Sequence, residues 1–273
     1  MKAAKNRRWG EQFMPTERIP YFLLQAFIGK YVFASQFVKD KVVLDMACGS
    51  GYGANYLKYK GARFVIGGDI SEKAIHYATS RYQIDNLCFT CCDAQQLPFP
   101  DHVFDVVVSC ETLEHLPRYG DFLSECTRIL KESGVFICAT PNKEFSSPYS
   151  VAPSNAYHIK EFNATELKDL VGTYFQDVAI YGMDPQVHIA DKITFRIAQA
   201  FQPIIYSIPK SYLLVNLITK FIFRRYTLVK AEELEDSQFE NFLESPYRHY
   251  LLENDFLPPG GLTAVATIQK KTR

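Results

Sequence analysis

The chain has 273 residues, 47% of them hydrophobic, and its 30 Lys and Arg are matched by 30 Asp and Glu. That length accommodates one large α/β domain with an insertion or two small domains, and the hydrophobic share excludes a disordered chain. A formal net charge of +0 excludes bulk attraction to nucleic acid, so no nucleic-acid partner is expected.

Residues 1–20 carry turn formers and charges. The basic start MKAAKNRR and the apolar stretch 21–38 have the outline of an export signal. Glu11, Glu17 and Arg18 stand between them, however, and Gln25, Gly29 and Lys30 interrupt the apolar part, so neither export nor a membrane span fits. A cytoplasmic protein is expected. Pro20 starts a helix predicted to reach about Phe37, with a wide apolar face for a sheet. From Lys41 the pattern alternates, with strands predicted over 42–46, 64–68, 87–92, 104–110 and 135–140 and helices over 52–60, 72–84 and 119–131. Apolar strands separated by helices argue for an α/β, Rossmann-like parallel sheet covered on both faces.

A further helix over 165–171 and a sixth strand over 175–182 follow, but the next strand candidate, 262–268, comes only near the C-terminus. The intervening 183–261 is too long for a hairpin loop, and Leu214, Leu217, Ile218, Phe221 and Ile222 repeat at helical spacing. The expected division is an N-terminal helical cap over 1–40, a core over 41–182 and 262–273, and a helical insertion over 183–261 as a candidate substrate lid. Lys192, Arg196, Lys210, Lys220, Arg224 and Arg225 in the insertion suit either solvated edges of a packed subdomain, the plainer reading, or peripheral contact with a membrane. The acidic run over 232–244 reads as a solvated helix face. Cys48, Cys88, Cys91, Cys92, Cys110, Cys126 and Cys138, seven in all, read as free thiols in a reducing compartment.

Residues 42–53, VVLDMACGSGYG, form a strand, a glycine turn and a helix start. Without Cβ atoms at Gly49, Gly51 and Gly53 the backbone can take positive φ and lie close to a ligand. Such a turn also serves NAD and FAD enzymes. Its neighbours sharpen the reading: Asp45 precedes the first glycine, Asp69 ends the second strand as a ribose-diol acceptor, and Asp93 follows the third strand where an adenine amine could be read. Strand-end capping is the plainer alternative for Asp69 and Asp93. An acid by the first loop repels a pyrophosphate and suits a ligand with an ammonium group, such as the methionine part of S-adenosylmethionine.

Glu111, Glu114 and His115 form a second constellation at the C-terminal end of the fourth strand, where sheets of this type bind ligands. Their i, i+3, i+4 spacing at a helix start predicts convergence. With His158 as a fourth ligand they make a candidate site for Mg²⁺ or Mn²⁺; without a metal, His115 acts alone as a base and the acids orient the cofactor.

The order LDMACGSGYG, GGDIS, CCDAQQLPF, FDVVVSCETLEHLP and LKESGVFICATPN resembles the class I S-adenosylmethionine-dependent methyltransferase superfamily over 40–182 and the last strand. The resemblance implies a seven-stranded sheet of order 3-2-1-4-5-7-6, strand seven antiparallel, with the insertion between strands six and seven. It implies S-adenosylmethionine as cofactor, bound by Asp45, Ala47, Gly49, Gly51, Asp69, Ile70, Asp93 and Ala94, and Glu111, Glu114 and His115 as catalytic residues. The Glu-x-x-Glu-His run with a distant His resembles metal-dependent methyltransferases of small-RNA 3′ ends, and its first part resembles ubiquinone-pathway O-methyltransferases. GEQFMP and the run IGKYVFASQFVKDKVVLDMACGSGYG resemble methyltransferases of surface-polysaccharide synthesis, with Phe27, Lys30 and Tyr31 standing where that group has a His-x-x-Arg-Tyr entry. The expected acceptor is a sugar or glycan hydroxyl; the alternatives are a quinone-pathway or catechol-like molecule, and a non-catalytic sensor that only binds the cofactor.

Overall fold

A computed structural model describes residues 19–147, 152–153, 155–184, 228–229, 248–251 and 261–268. Parallel strands β1 (Val42–Met46), β2 (Phe64–Asp69), β3 (Leu87–Cys91), β4 (Phe104–Cys110) and β5 (Leu130–Pro141) join β6 (Gln176–Asp184) and β7 (Gly261–Thr267) in one sheet. Its order is β3-β2-β1-β4-β5-β7-β6, and β7 runs antiparallel to both neighbours, pairing Ala264 with Cys138 on one side and Ile180 on the other. This is the order the resemblance implied.

The strands are apolar on both faces because both are covered. Val43, Val65, Val106, Val108, Ile137 and Val265 pack against helices α1 (Tyr21–Ala34) and α2 (Tyr52–Tyr59). Their alternate neighbours Leu44, Val107, Phe136, Cys138, Ala264 and Ala266 face the other layer, which includes α4 (Tyr119–Ile129) and α5 (Ala164–Gly172), through Phe122, Leu123, Ile129, Leu167 and Val171. This two-sided burial is what a doubly covered parallel sheet requires. Helix α3 (Glu72–Arg81) crosses from β2 to β3, its first turn capped by the Ser71 side chain. Helix α5 begins with a full capping box between Asn163 and Glu166.

Two short strands stand in the range read as an insertion, where none was expected. Leu228–Val229 pairs with Ile19–Pro20, and Arg248–Leu251 adds an antiparallel edge strand beyond β6, making the sheet eight-stranded. The helical spacing from Leu214 to Ile222, the six basic residues and the acidic run lie outside the described residues. Among the described residues no helix is long and apolar enough to cross a membrane.

Candidate active site

The glycine turn leaves β1 through Ala47 at φ 63, Gly49 at φ 54 and Gly51 at φ 81, and α2 starts at Tyr52. Asp69 at the end of β2 fixes it: one carboxylate oxygen accepts the Gly49 N–H at 2.8 Å and the other the Ser71 N–H at 2.8 Å. Asp69 therefore does cap backbone, and a carboxylate with about four lone-pair sites retains acceptor capacity for a diol. A Cβ on Gly49 would meet nothing within 4 Å, so the space over that residue is open. Gly51 has a second constraint. A Cβ there would lie 2.7 Å from the Ala78 Cβ and 2.8 Å from the Phe89 ring, so its bareness also serves packing against α3 and β3.

Asp45 lies within β1, beneath the turn rather than on it, and is 0% exposed. The Tyr31 hydroxyl donates to its Oδ1 at 3.2 Å, while Oδ2 has no hydrogen-bond partner among the described residues. Burial pushes this carboxyl up to about 7, against the lowering effect of the Tyr31 bond. The Tyr31 ring reaches it only because residue 53 is glycine: a Cβ there would come within 2.0 Å of the ring. Ile70, beside Asp69, is 70% exposed, an apolar surface at the carboxyl end of β2. After β3, Asp93 Oδ1 accepts the Gln95 backbone N–H at 2.8 Å and so builds a turn, with Ala94 buried beneath it. A buried acid with one unpartnered oxygen, an open cradle over Gly49 and an apolar shelf beside an acidic strand end fit an amino-acid-bearing nucleoside such as S-adenosylmethionine.

The second constellation separates. Glu111 precedes the 3₁₀ turn Leu113–His115, holds a strained φ of 53 and pairs with the ammonium of Lys30 on α1; its charge reaches Glu114, but it is not one of the residues whose ligand atoms cluster there. The structure adds a partner the sequence did not suggest, the buried Lys30. Glu114 is 0% exposed; its Oε2 accepts the Thr140 hydroxyl at 2.8 Å, and burial, then the charge of Glu111, raise it to about 8. Its Oε1 lies 3.9 Å from His115 Nε2. His115 Nδ1 is 3.1 Å from the Tyr157 carbonyl oxygen, which can only accept, so Nδ1 carries the proton and Nε2 is the basic nitrogen of the neutral ring.

His158 does reach this place, its ring centroid 4.8 Å from that of His115. Candidate ligand atoms of Glu114, His115 and His158 all lie within 4.8 Å of one another. Both His158 nitrogens are engaged, however: Nδ1 faces Glu161 Oε1 at 2.8 Å, and Nε2 faces the Asn155 side-chain nitrogen at 3.0 Å. Asn155 Oδ1 accepts the Tyr157 N–H, which orients the amide to donate to His158. With Glu111 on Lys30 and His158 capped by Asn155, the four residues as arranged do not fit a divalent ion.

Glu161, Asn155 and Thr140 were not singled out in the sequence. Glu161 stands three residues after His158 in HIKEF, and that spacing was the available signal. Asn155 and Thr140 carried none.

Residues 44–138 match the family described as "Methyltransferase domain". A Mycolicibacterium smegmatis protein named "Probable S-adenosylmethionine-dependent methyltransferase" is 40% identical over 131 residues, 48% of this chain and 50% of that protein. A "Fatty-acid O-methyltransferase" of the same organism is 36% identical over 113 residues, 41% of each chain. The chain thus spans about half the length of the curated relatives it matches. A solved Thermotoga maritima S-adenosylmethionine-dependent methyltransferase shares the fold, with TM-score 0.57 at 16% identity over 91% of this chain and 93% of that one. These matches show that residues 44–138 are a methyltransferase domain, and the glycine turn, its acid-capped neighbour strand and the antiparallel last strand give the chain the fold of solved S-adenosylmethionine-dependent methyltransferases.

Proposed function

We propose that the chain is an S-adenosylmethionine-dependent O-methyltransferase acting on a hydroxyl group. The observation that carries this is His115, whose Nδ1 is turned to the Tyr157 carbonyl so that the basic nitrogen of the neutral ring, Nε2, faces the buried Glu114 at 3.9 Å. A hydroxyl acceptor must lose its proton to react, and such a base serves that need; a carboxylate acceptor is ionised already and has no use for one. Bound S-adenosylmethionine supplies a methyl group on a positively charged sulfur, already a good leaving group. Asp45 would hold the ligand's ammonium group, Asp69 its ribose hydroxyls and Ile70 the face of its base, while His115 Nε2 accepts the proton of the acceptor hydroxyl.

The relatives turn attention to lipid-like acceptors, since one is named a fatty-acid O-methyltransferase. The sugar or glycan hydroxyl expected from the polysaccharide-type motifs, and a catechol-like molecule, stay as members of the acceptor panel. The purified chain, given labelled S-adenosylmethionine with hydroxylated fatty acids, lipid-linked sugars and catechols, should label a hydroxyl. His115→Gln should lower kcat by about 10²–10⁴-fold with binding of S-adenosylhomocysteine unchanged. Turnover should survive a chelator, because the histidines act without a metal; loss of activity in chelator restored by Mg²⁺ or Mn²⁺ would reinstate the metal reading. Labelling of a carboxylate alone would overturn the hydroxyl assignment.

A further inference from the structure

Beyond the base, a small open cleft of about 130 Å³ is lined by Lys143, Ser147, Ala152, Pro153, Ile159, Lys160 and Glu161. A parallel bridge between Asn142 and Phe162, with the Lys143 N–H donating to the Phe162 carbonyl at 2.9 Å, lays the turn at 143–146 against the strand-like segment 159–162. That contact brings the two lysines to one opening.

Neither ammonium has a carboxylate within ion-pair distance among the described residues, and Lys160 rests 4.9 Å over the Phe162 ring. Glu161, the acid in the wall, does not cancel them. It is 3% exposed, and its oxygens receive the Ser146 and Ser147 hydroxyls, each at 2.6 Å, and His158 Nδ1 at 2.8 Å. Its charge is held by these donors inside the fold, and two lysines against this one buried acid leave the cleft lining net positive. Next to it, Tyr157 is 52% and Ile159 54% exposed, large apolar side chains on either side of His158. Their backbone is also part of the candidate active site: the Tyr157 carbonyl holds His115 and the Ile159 N–H donates to the Glu114 carbonyl at 2.7 Å.

We propose that this cleft is an acceptor subsite for an anionic amphiphile, with Lys143 and Lys160 binding a carboxylate or phosphate and Ile159 and Tyr157 covering the adjoining hydrocarbon. The inference rests on the methyltransferase reading and adds to it the chemical class of the acceptor. A carboxylate belongs to a hydroxylated fatty acid and a phosphate to a lipid-linked sugar. Both present one anion at the end of an apolar chain.

Binding without turnover tests it. Decanoate, dodecyl phosphate and decanol, each below its aggregation concentration, are titrated calorimetrically into the full chain, with S-adenosylhomocysteine as the check on folding. The two anions should bind at least about tenfold tighter than decanol, and the double variant Lys143→Gln/Lys160→Gln should lose about tenfold for the anions alone. A preference for decanoate would assign the fatty-acid source, and a preference for dodecyl phosphate the phosphate source. Ile159→Asn should weaken all three ligands while S-adenosylhomocysteine still binds. Equal binding of decanol and the anions, or full anion affinity in the lysine double variant, would overturn the proposal. Absence of methyl transfer to every acceptor, with anion binding intact, would instead sink the function and leave the subsite standing.

Discussion

At the scale of single residues, the site is organised by acids kept out of water. Asp45 is expected to govern ligand affinity through its proton. With a carboxyl near 7 in the free chain, an ammonium-bearing ligand must select the ionised form. The affinity for S-adenosylhomocysteine should therefore be flat above that pH and fall by up to about tenfold per unit below it. Asp45→Asn should bind weakly with no such slope; calorimetry between pH 5.5 and 8 separates the two. Glu114 makes the opposite kind of statement, about stability. Its folded value of about 8 lies above the ordinary 4.5, so the folded chain holds a proton that the unfolded chain releases. Stability from this group is complete below 4.5 and is lost as pH rises through about 8. Glu114→Gln keeps an acceptor for Thr140 without the charge, and its melting temperature should exceed that of the parent by on the order of 5 °C at pH 9, with little difference at pH 4.5. The placement of Asp45, Gly49 and Asp69 at one end of the sheet was legible because strand end, turn and acid follow one another along the chain. Glu111 was not, because the Lys30 that claims it lies 81 positions earlier.

At the scale of elements, α1 is a working wall of the site rather than an appended cap. Consecutive residues of this helix reach two acids, Lys30 taking Glu111 and Tyr31 taking Asp45. The members of the ion pair are unequally buried, Lys30 at 6% side-chain exposure and Glu111 at 31%. Glu111→Gln, which strands a buried ammonium, should therefore cost about 3 kcal/mol in urea unfolding, and Lys30→Met, which leaves a half-wet carboxylate, distinctly less. The reverse ranking would mean that Glu111 is the buried partner in solution. The strands and helices of the core could be read closely because each buries a face with its own period; α1, predicted to reach about Phe37, ends at Ala34 and continues as the 3₁₀ turn Ser35–Phe37. The edge strand Arg248–Leu251 and the pair Leu228–Val229 could not, since such short strands exist only through their partners.

At the scale of the whole molecule, β7 holds the second half of the sheet together. It is paired along its length with β5 on one side and β6 on the other. Replacing Ala264, 0% exposed between Cys138 and Ile180, with Asp should prevent cooperative unfolding of the core, read as loss of a single thermal transition. The same pairing sets a schedule for the chain as it is made. Strand β5 leaves the ribosome first and β6 follows it after α5, but the strand that joins them comes only after the stretch 185–260 has been added. At about 5–20 residues per second that interval lasts on the order of ten seconds, far longer than hairpin formation, and throughout it β5 offers an open apolar edge to whatever is near. Nascent chains of this protein should therefore engage holdase chaperones until residue 267 has emerged, and release from them should coincide with that step.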